Sequence, residues 1–432
     1  MSSLWSVPSE QPKFETLQNP IKTDVLIIGG GIAGIMCAYL LKQAGVDCVL
    51  AEEKRICDGI TKNTTAKITA HHGAIFDKMI RRFGAERTRL YYESQQAAVE
   101  QYRGMCKNID CDFEEKDSYV YSLCDRAKME KEVQALAQIG CKAEFAEHLP
   151  LPFSVAGAVR MGNQAQFHPL KFAYGIAKDL PIYENTKVLE VTPHGAVTQN
   201  GTIAADHIIV ATHFPFINKH GMYFLKMYQH RSYVIALKNV PDVHGMYVDE
   251  AKEGMSFRNY GEFLLIGGGS HRTGKTGGNW LELSRFAQKY YPDGTEVCRW
   301  ATQDCMTLDD IPYIGRYSQR TRNLYVAAGF KKWGMSSSMT AAMLLRDLIL
   351  GRQNPCAAVY SPSRSMLRPQ LAINIFESLI GILTPTVPRC PHLGCALKYN
   401  KAEHSWDCSC HGSRFTERGK RINNPATGDK KL

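Results

Sequence analysis

The sequence predicts an α/β chain in three parts: a parallel-sheet domain, an inserted α+β domain, and a small cysteine- and histidine-rich module at the C-terminal end. Three observations predict it. The β-branched run Asp24 to Ile28 is followed by a helical pattern and a second apolar run, Val46 to Ala51, and β-α-β order builds a parallel sheet. Strand and helix patterns then continue to Leu350. Beyond Gly351 the texture changes: five of the 19 prolines lie between Gln353 and Arg389, and four of the 14 cysteines crowd between Cys390 and Cys410.

A chain of 432 residues suggests two or three domains. With 44% hydrophobic and 22% charged residues it has globular composition. No apolar run reaches the roughly 20 residues of a membrane span; the best, Leu371 to Leu383, carries Asn374 and Glu377. The first residues, MSSLWSVPSEQPKFE, lack a basic start followed by an apolar stretch, so a cytoplasmic location is expected. The net charge of +10 is not gathered in a basic tail interleaved with aromatics, and nucleic acid is not an expected partner. Part of it is local: from Arg389 to Leu432 nine Lys and Arg stand against four acids. In a cytoplasmic chain, 14 cysteines point to metal or redox chemistry before disulfides.

Taken in order, Asp24–Ile28 is a buried strand, Ile32–Ala44 a helix ended by Gly45, and Val46–Ala51 a second strand. Helices are expected over Arg82–Cys106 and Arg126–Ile139. Strands are expected over Ser118–Leu123, Lys187–Val191, His207–Ala211, Tyr233–Leu237, Phe263–Ile266 and Leu324–Ala328, and a helix over Ser336–Leu350. Gly267-Gly268-Gly269-Ser270 reads as a plain turn, because no clear helix follows it. The expected boundaries are 1–80, 151–225 and 300–352 for the parallel-sheet domain, and 81–150 and 226–299 for the inserted domain. A connector with one short helix spans 353–388, and the terminal module spans 389–432.

Gly29-Gly30-Gly31-Ile32-Ala33-Gly34 fits G-x-G-x-x-G between strand and helix, with Glu52 closing the second strand. Gly29 permits the tight turn, Gly31 lets backbone approach a pyrophosphate, and Gly34 lets the helix pack on the sheet. The helix N-terminus offers free N–H groups to a diphosphate, and Glu52 can accept hydrogen bonds from a ribose. This Rossmann-like motif does not decide between NAD and FAD.

Three further stretches do: Asp309-Asp310-Ile311-Pro312-Tyr313-Ile314-Gly315, Asn323 to Phe330, and Trp333-Gly334-Met335. Together with HIIVAT (His207–Thr212) and TKNTTAKITAHHG (Thr61–Gly73), they resemble the D-amino-acid-oxidase-like FAD oxidoreductases over about residues 20 to 350. The resemblance implies FAD held by Gly29, Gly31, Ala33, Gly34, Glu52, Thr61, Thr65, Val188, Ala211, Gly329, Gly334 and Met335. A helix beginning near Ser336 would point its positive end at the flavin C2 carbonyl. Lys67, His71, Lys332 and Trp333 are the candidate catalytic residues, and Arg258, Tyr260 and Arg272 are candidates for binding an anion. Some relatives place a substrate-binding lysine where this chain has Ser336. No motif for covalent flavin attachment is present.

Cys390-Pro391-His392-Leu393-Gly394-Cys395 and Cys408-Ser409-Cys410-His411-Gly412-Ser413 contain C-x-H and C-x-x-H. They resemble the Rieske [2Fe–2S] signature, in which two thiolates hold one iron and two imidazoles the other. Two Cys and two His also make zinc sites, but usually at C-x₂₋₄-C and H-x₃₋₅-H spacing rather than alternating. The resemblance implies Cys390, His392, Cys408 and His411 as ligands. It places Cys395 and Cys410 where respiratory-complex Rieske proteins carry a disulfide, and Ser413 where a serine bonds a bridging sulfide. Phe415 replaces a hydrogen-bonding tyrosine, which implies a potential below the respiratory type. No alternating strand pattern precedes Cys390, so the module is expected to be the cluster-binding part alone, leaning on the flavoprotein body or on a neighbouring subunit.

Flavin and cluster together imply an oxidoreductase that takes electrons from a small organic donor, an amine or amino acid by family analogy. It would pass them singly through the cluster to a carrier. The basic terminal segment suggests an acidic ferredoxin- or flavodoxin-type carrier, and a homo-oligomer is a further expected arrangement. Two alternatives stand beside this: a reductase driven by such a carrier, and a non-catalytic redox sensor or relay.

Overall fold

The computed structural model describes residues 3–6, 11–385 and 388–430. The first sheet has eight strands. Along its main path run Tyr313–Arg316, Leu324–Ala328, Gly201–Val210, Ile21–Ile28, Cys48–Ala51 and Ile182–Tyr183. Ile21–Ile28 is parallel to both neighbours, with Val25 opposite His207 on one side and Cys48 on the other. Val25, Leu26 and Ile27 are fully buried, as a strand flanked on both sides and covered on both faces must be. The helices Ile32–Gln43 and Gly334–Ile349 pack against each other beside this sheet. Between them they bury Ile35, Met36, Met339 and Leu345.

The second sheet has nine strands and carries the inserted domain. Its longest pair, Met227–Lys238 with Thr295–Thr307, is antiparallel. Gly157–Gln166 pairs antiparallel with Glu114–Ser122, and the two-residue strand Lys67–Ile68 joins Gly157–Gln166 at the sheet's edge. The expected boundaries therefore shift. Segments 1–80, 151–225 and 300–352 each contribute strand residues to the second sheet as well as the first. Gly157–Gln166 reads GAVRMGNQAQ, with neither β-branched enrichment nor clean alternation, so its strand character comes from pairing rather than propensity.

Two other expectations are corrected. Arg82–Cys106 is two helices, Phe76–Phe83 and Ala85–Cys106, meeting at Gly84 with φ +84°. Gly267-Gly268-Gly269 is no turn but lies inside the strand Phe263–Arg272. The close approach of neighbours explains the glycines, since a Cβ at Gly268 would stand 2.8 Å from Leu283 Cδ2.

After the helix Gly334–Ile349 and the short helix Ala357–Tyr360, the chain forms the helix Pro369–Leu383 and then a four-stranded antiparallel meander: Leu397–Asn400, Ser405–Cys408, Arg414–Thr416 and Arg421–Asn423. The meander's core is Cys390, Cys395, Leu397, Cys408, Cys410, Phe415 and Ala426. So small a core supplies little stability alone, and the module is docked on the flavoprotein body, as its size led us to expect. Arg231 is bidentate to Glu403, Nε to Oε1 at 2.7 Å and Nη2 to Oε2 at 2.5 Å. Gln229 donates to the His411 carbonyl at 2.7 Å, and Gln303 to that of Gly412 at 2.8 Å.

Candidate active site and metal centre

A cavity of about 2150 Å³, lined from both sheets, lies among the described residues. Drug-sized pockets are about 300–1,000 Å³, so this one has room for a dinucleotide and a further small molecule. Gly29, Gly31, Ala33, Glu52, Thr61, Thr65, Val188, Ala211, Gly334 and Met335 line it. Gly34 and Gly329 do not, and their roles are in packing. A Cβ on Gly34 would come 1.9 Å from the Gly29 carbonyl oxygen, and one on Gly329 would come 2.4 Å from Thr307 Cγ2. Gly29, at φ +112°, leaves no space for a side chain against Ala211. Glu52 accepts from the Gly30 N–H at 2.6 Å and the Lys54 N–H at 2.8 Å. Burial raises its pKa, and those two N–H groups partly oppose the rise. Thr61 Oγ1 accepts from the Ile32 N–H at the start of the helix. The cradle fits a dinucleotide: glycine backbone at a helix N-terminus, and a carboxylate at the end of the second strand.

Of the candidate catalytic residues, Lys67, Lys332 and Trp333 line the cavity. His71 does not; it is fully buried, and neither ring nitrogen has a hydrogen-bond partner. Its neighbour His72 takes the place. The His72 ring stacks on Trp333 with centroids 4.9 Å apart and an interplanar angle of 12°. It also hydrogen-bonds to Tyr91 Oη at 2.6 Å and Ser336 Oγ at 2.9 Å. Burial pushes His72 down to about 3 and His71 to about 4, so both are neutral near pH 7. Sequence reasoning missed His72 because a pair of adjacent histidines does not say which one faces inward.

Lys67 Nζ lies 3.3 Å from Thr65 Oγ1, and burial, reinforced by the Arg258 charge, lowers its pKa to about 7. Lys332 Nζ donates to Ser270 Oγ at 2.7 Å; burial lowers its pKa, against the favourable charge of Asp304. Asp304 and Arg231, neither singled out from sequence, also line the cavity. Burial raises Asp304 to about 6, opposed by Lys332 and Arg231.

The anion-binding candidates are committed to other partners. Arg272 lines the cavity but spends its guanidinium on the module, donating to the Ser409 carbonyl at 2.9 Å, the Cys410 carbonyl at 3.1 Å and Asn374 Oδ1 at 3.1 Å. Arg258 is fully buried, donates to the Ala66 carbonyl at 3.0 Å, and sits 5.3 Å over the Trp5 ring. Tyr260 donates to Asp112 at 2.6 Å. Neither Arg258 nor Tyr260 lines the cavity.

The four expected cluster ligands are brought together. Cys390, Cys408 and His411 are buried, and the His392 and His411 rings stand 4.9 Å apart. Nδ1 of His392 and both ring nitrogens of His411 are buried with no hydrogen-bond partner, a costly arrangement for a polar group unless a ligand satisfies it. Thiols of Cys390, Cys395 and Cys410 around the Cys408 sulfur hold its pKa well below the ordinary value, which suits a thiolate ligand. His392 Nε2 is hydrogen-bonded to Asn218 Oδ1 at 3.1 Å, so two thiols and two imidazoles, each with an unpartnered Nδ1, fit a mixed-ligand [2Fe–2S] cluster. The sulfurs of Cys395, Cys408 and Cys410 lie within 4.8 Å of one another, and Cys395 and Cys410 are unbonded thiols in this geometry. Ser413 Oγ accepts from the Ala426 N–H at 3.0 Å, and Phe415 is fully buried. The metal module and cavity meet directly, for Arg414 and Asn423 to Thr427 form part of the cavity wall.

Comparison with known proteins agrees with both halves. The chain belongs to the FAD dependent oxidoreductase family, whose model matches residues 24–348, and residues 372–431 match the Rieske [2Fe-2S] domain. It is thus an FAD-dependent oxidoreductase carrying a Rieske-type cluster domain. It is 35% identical to the "Putative Rieske 2Fe-2S iron-sulfur protein YhfW" of Bacillus subtilis (strain 168), over 98% of this chain and 95% of that one. It is 27% identical to gamma-glutamylputrescine oxidoreductase of Escherichia coli (strain K12), over 46% of this chain and 50% of that one. Among solved structures, L-proline dehydrogenase from P. horikoshii superposes with TM-score 0.68 at 18% identity, covering 80% of this chain and 98% of that one. Glycine oxidase from Geobacillus kaustophilus superposes with TM-score 0.65 at 21% identity, covering 80% and 99%.

Proposed function

We propose that this protein oxidises a small amine or amino acid and delivers the electrons one at a time through its cluster to a separate carrier. Bound in the cavity, FAD supplies two-electron acceptance from a C–H/N–H donor, and the [2Fe–2S] cluster supplies one-electron transfer. The observation that carries the reading is the shared wall, where strand Met227–Lys238 lines the cavity through Tyr228, His230 and Arg231 and holds the His411 carbonyl through Gln229. The partial similarity to gamma-glutamylputrescine oxidoreductase supports an amine-type donor.

The chain's own residues then divide the work. Lys67 and Lys332 place cationic groups of lowered pKa on the cavity wall, suited to a donor's carboxylate or to negative charge developing on the flavin. His72, neutral and stacked on Trp333, fixes the indole and the start of helix Gly334–Ile349 through Ser336. Cys390, His392, Cys408 and His411 would hold the cluster, with Cys395 and Cys410 positioned to tie the two ligand loops. The test is anaerobic: the holoprotein is mixed with a panel of primary amines, secondary amines and amino acids, and flavin absorbance is followed. Saturable bleaching by at least one class supports the reading. Bleaching only by a reduced low-potential protein carrier would favour the reverse direction of flow.

A further inference from the structure

We infer that the helix Pro369–Leu383 is an in-plane membrane contact that seats the cluster module and the cavity mouth on an anionic lipid surface. The helix is amphipathic the wrong way round for a water-facing element. Its polar residues face the protein. Asn374 is buried, donates to the Leu225 carbonyl at 3.0 Å and accepts from Arg272 at 3.1 Å, while Glu377 pairs with Lys275 at 2.6 Å. Its apolar residues face outward. Ile375, Phe376, Leu379, Ile380, Ile382 and Leu383 are all exposed, Phe376 by 62% and Leu383 by 77%. At 3.6 residues per turn these side chains cover about half the circumference, whereas a surface helix normally turns that stripe to the core.

Two features select lipid over another occupant. Glu377 is the only acid between Arg368 and Arg389, and it is already paired, so the patch holds no free anion, while Arg368 and Arg389, both partly exposed, keep a positive charge at either end even as Arg389 donates to backbone carbonyls. An apolar face with basic flanks is the composition of helices that lie at the headgroup boundary. No described helix is long and apolar enough to cross a membrane, which leaves lying on the surface. The second feature is continuity with the site. Pro369, Gln370 and Ile373 line the cavity, and the helix's other side packs on the cluster loops. The Ala396 N–H donates to the Gly381 carbonyl at 2.8 Å, and a Cβ on Gly381 would stand 2.4 Å from Cys410 Sγ.

The test is flotation of the full-length holoprotein with vesicles of phosphatidylcholine containing about a third phosphatidylglycerol, and with phosphatidylcholine alone. We expect the protein to float with the anionic vesicles and more weakly with the neutral ones. The Phe376→Asp/Leu379→Asp variant should lose at least tenfold of the bound fraction, with flavin and cluster absorption unchanged. A milder variant, Ile380→Ser/Leu383→Ser, decides the matter if the first does not fold. A protein that stays with neither vesicle overturns the inference, as does binding that both variants leave intact. A dimer in sedimentation that these substitutions dissociate, without vesicle binding, also overturns it and assigns the face to a second copy.

Discussion

His71 and His72 are adjacent in sequence, yet only the second reaches the cavity and stacks on Trp333. We expect His72→Phe, which keeps an aromatic ring but strands Tyr91 and Ser336, to lower kcat about tenfold, equivalent to about 1.4 kcal/mol of barrier. His71→Leu should leave steady-state turnover within about twofold. Asp304 gives a prediction in pH. Burial raises its folded pKa to about 6, so between the ordinary aspartate value and 6 the folded state binds more protons than the unfolded one, and stability falls as pH rises. Asp304→Asn should therefore gain stability relative to the parent as pH rises from about 4 to 6, by about 1 kcal/mol once solvent in the cavity is allowed for. Thermal melts across that range check it. A constant difference would mean that Asp304 stays ionised.

At the scale of elements, the metal module is held by close backbone approach as much as by ion pairs. A Cβ on Gly274, at φ +75°, would stand 2.6 Å from the Ser409 nitrogen, and one on Gly412, at φ +84°, would stand 2.5 Å from Gln229 Cβ. Burial alone would raise Glu403, but hydrogen bonds from Arg231 and the Arg414 charge hold it at about 2, so this latch stays ionised at physiological pH. We expect Gly274→Ala to displace the loop carrying Cys408 and His411. Cluster reduction by substrate should slow at least tenfold while flavin bleaching is spared; rapid mixing at two wavelengths separates the two. The elements also show what the sequence disclosed. The first strand–helix–strand and the Cys/His loops were legible because glycines, apolar periodicity and ligand spacing are local signals. Gly157–Gln166 was not, since its strand is specified by its partner Glu114–Ser122. The role of Met227–Arg231 was also hidden, because Gln229 and Arg231 find the His411 carbonyl and Glu403 as partners only once the distant metal module docks.

For the whole molecule, charge and apolar surface give different expectations. Three basic side chains of the terminal segment are engaged within the fold: Arg414 is buried with Glu403 and Asp407, Arg421 pairs with Glu53, and Arg389 donates to carbonyls at the end of the apolar helix while keeping its charge. Lys398, Lys401, Arg418 and Lys420 remain exposed. If they dock an acidic carrier, raising ionic strength from about 0.05 to 0.5 M should slow electron transfer to it at least several-fold. A rate indifferent to salt would remove electrostatic docking from the account.

The most direct test of the central claim, that one chain passes substrate electrons from flavin to its own cluster, is freeze-quenched paramagnetic resonance after anaerobic mixing with a competent amine donor. The expected result is flavin bleaching followed by the signal of a reduced Rieske-type cluster, at a rate independent of protein concentration. Full flavin reduction with the cluster left oxidised, or cluster reduction whose rate rises with protein concentration, would contradict it.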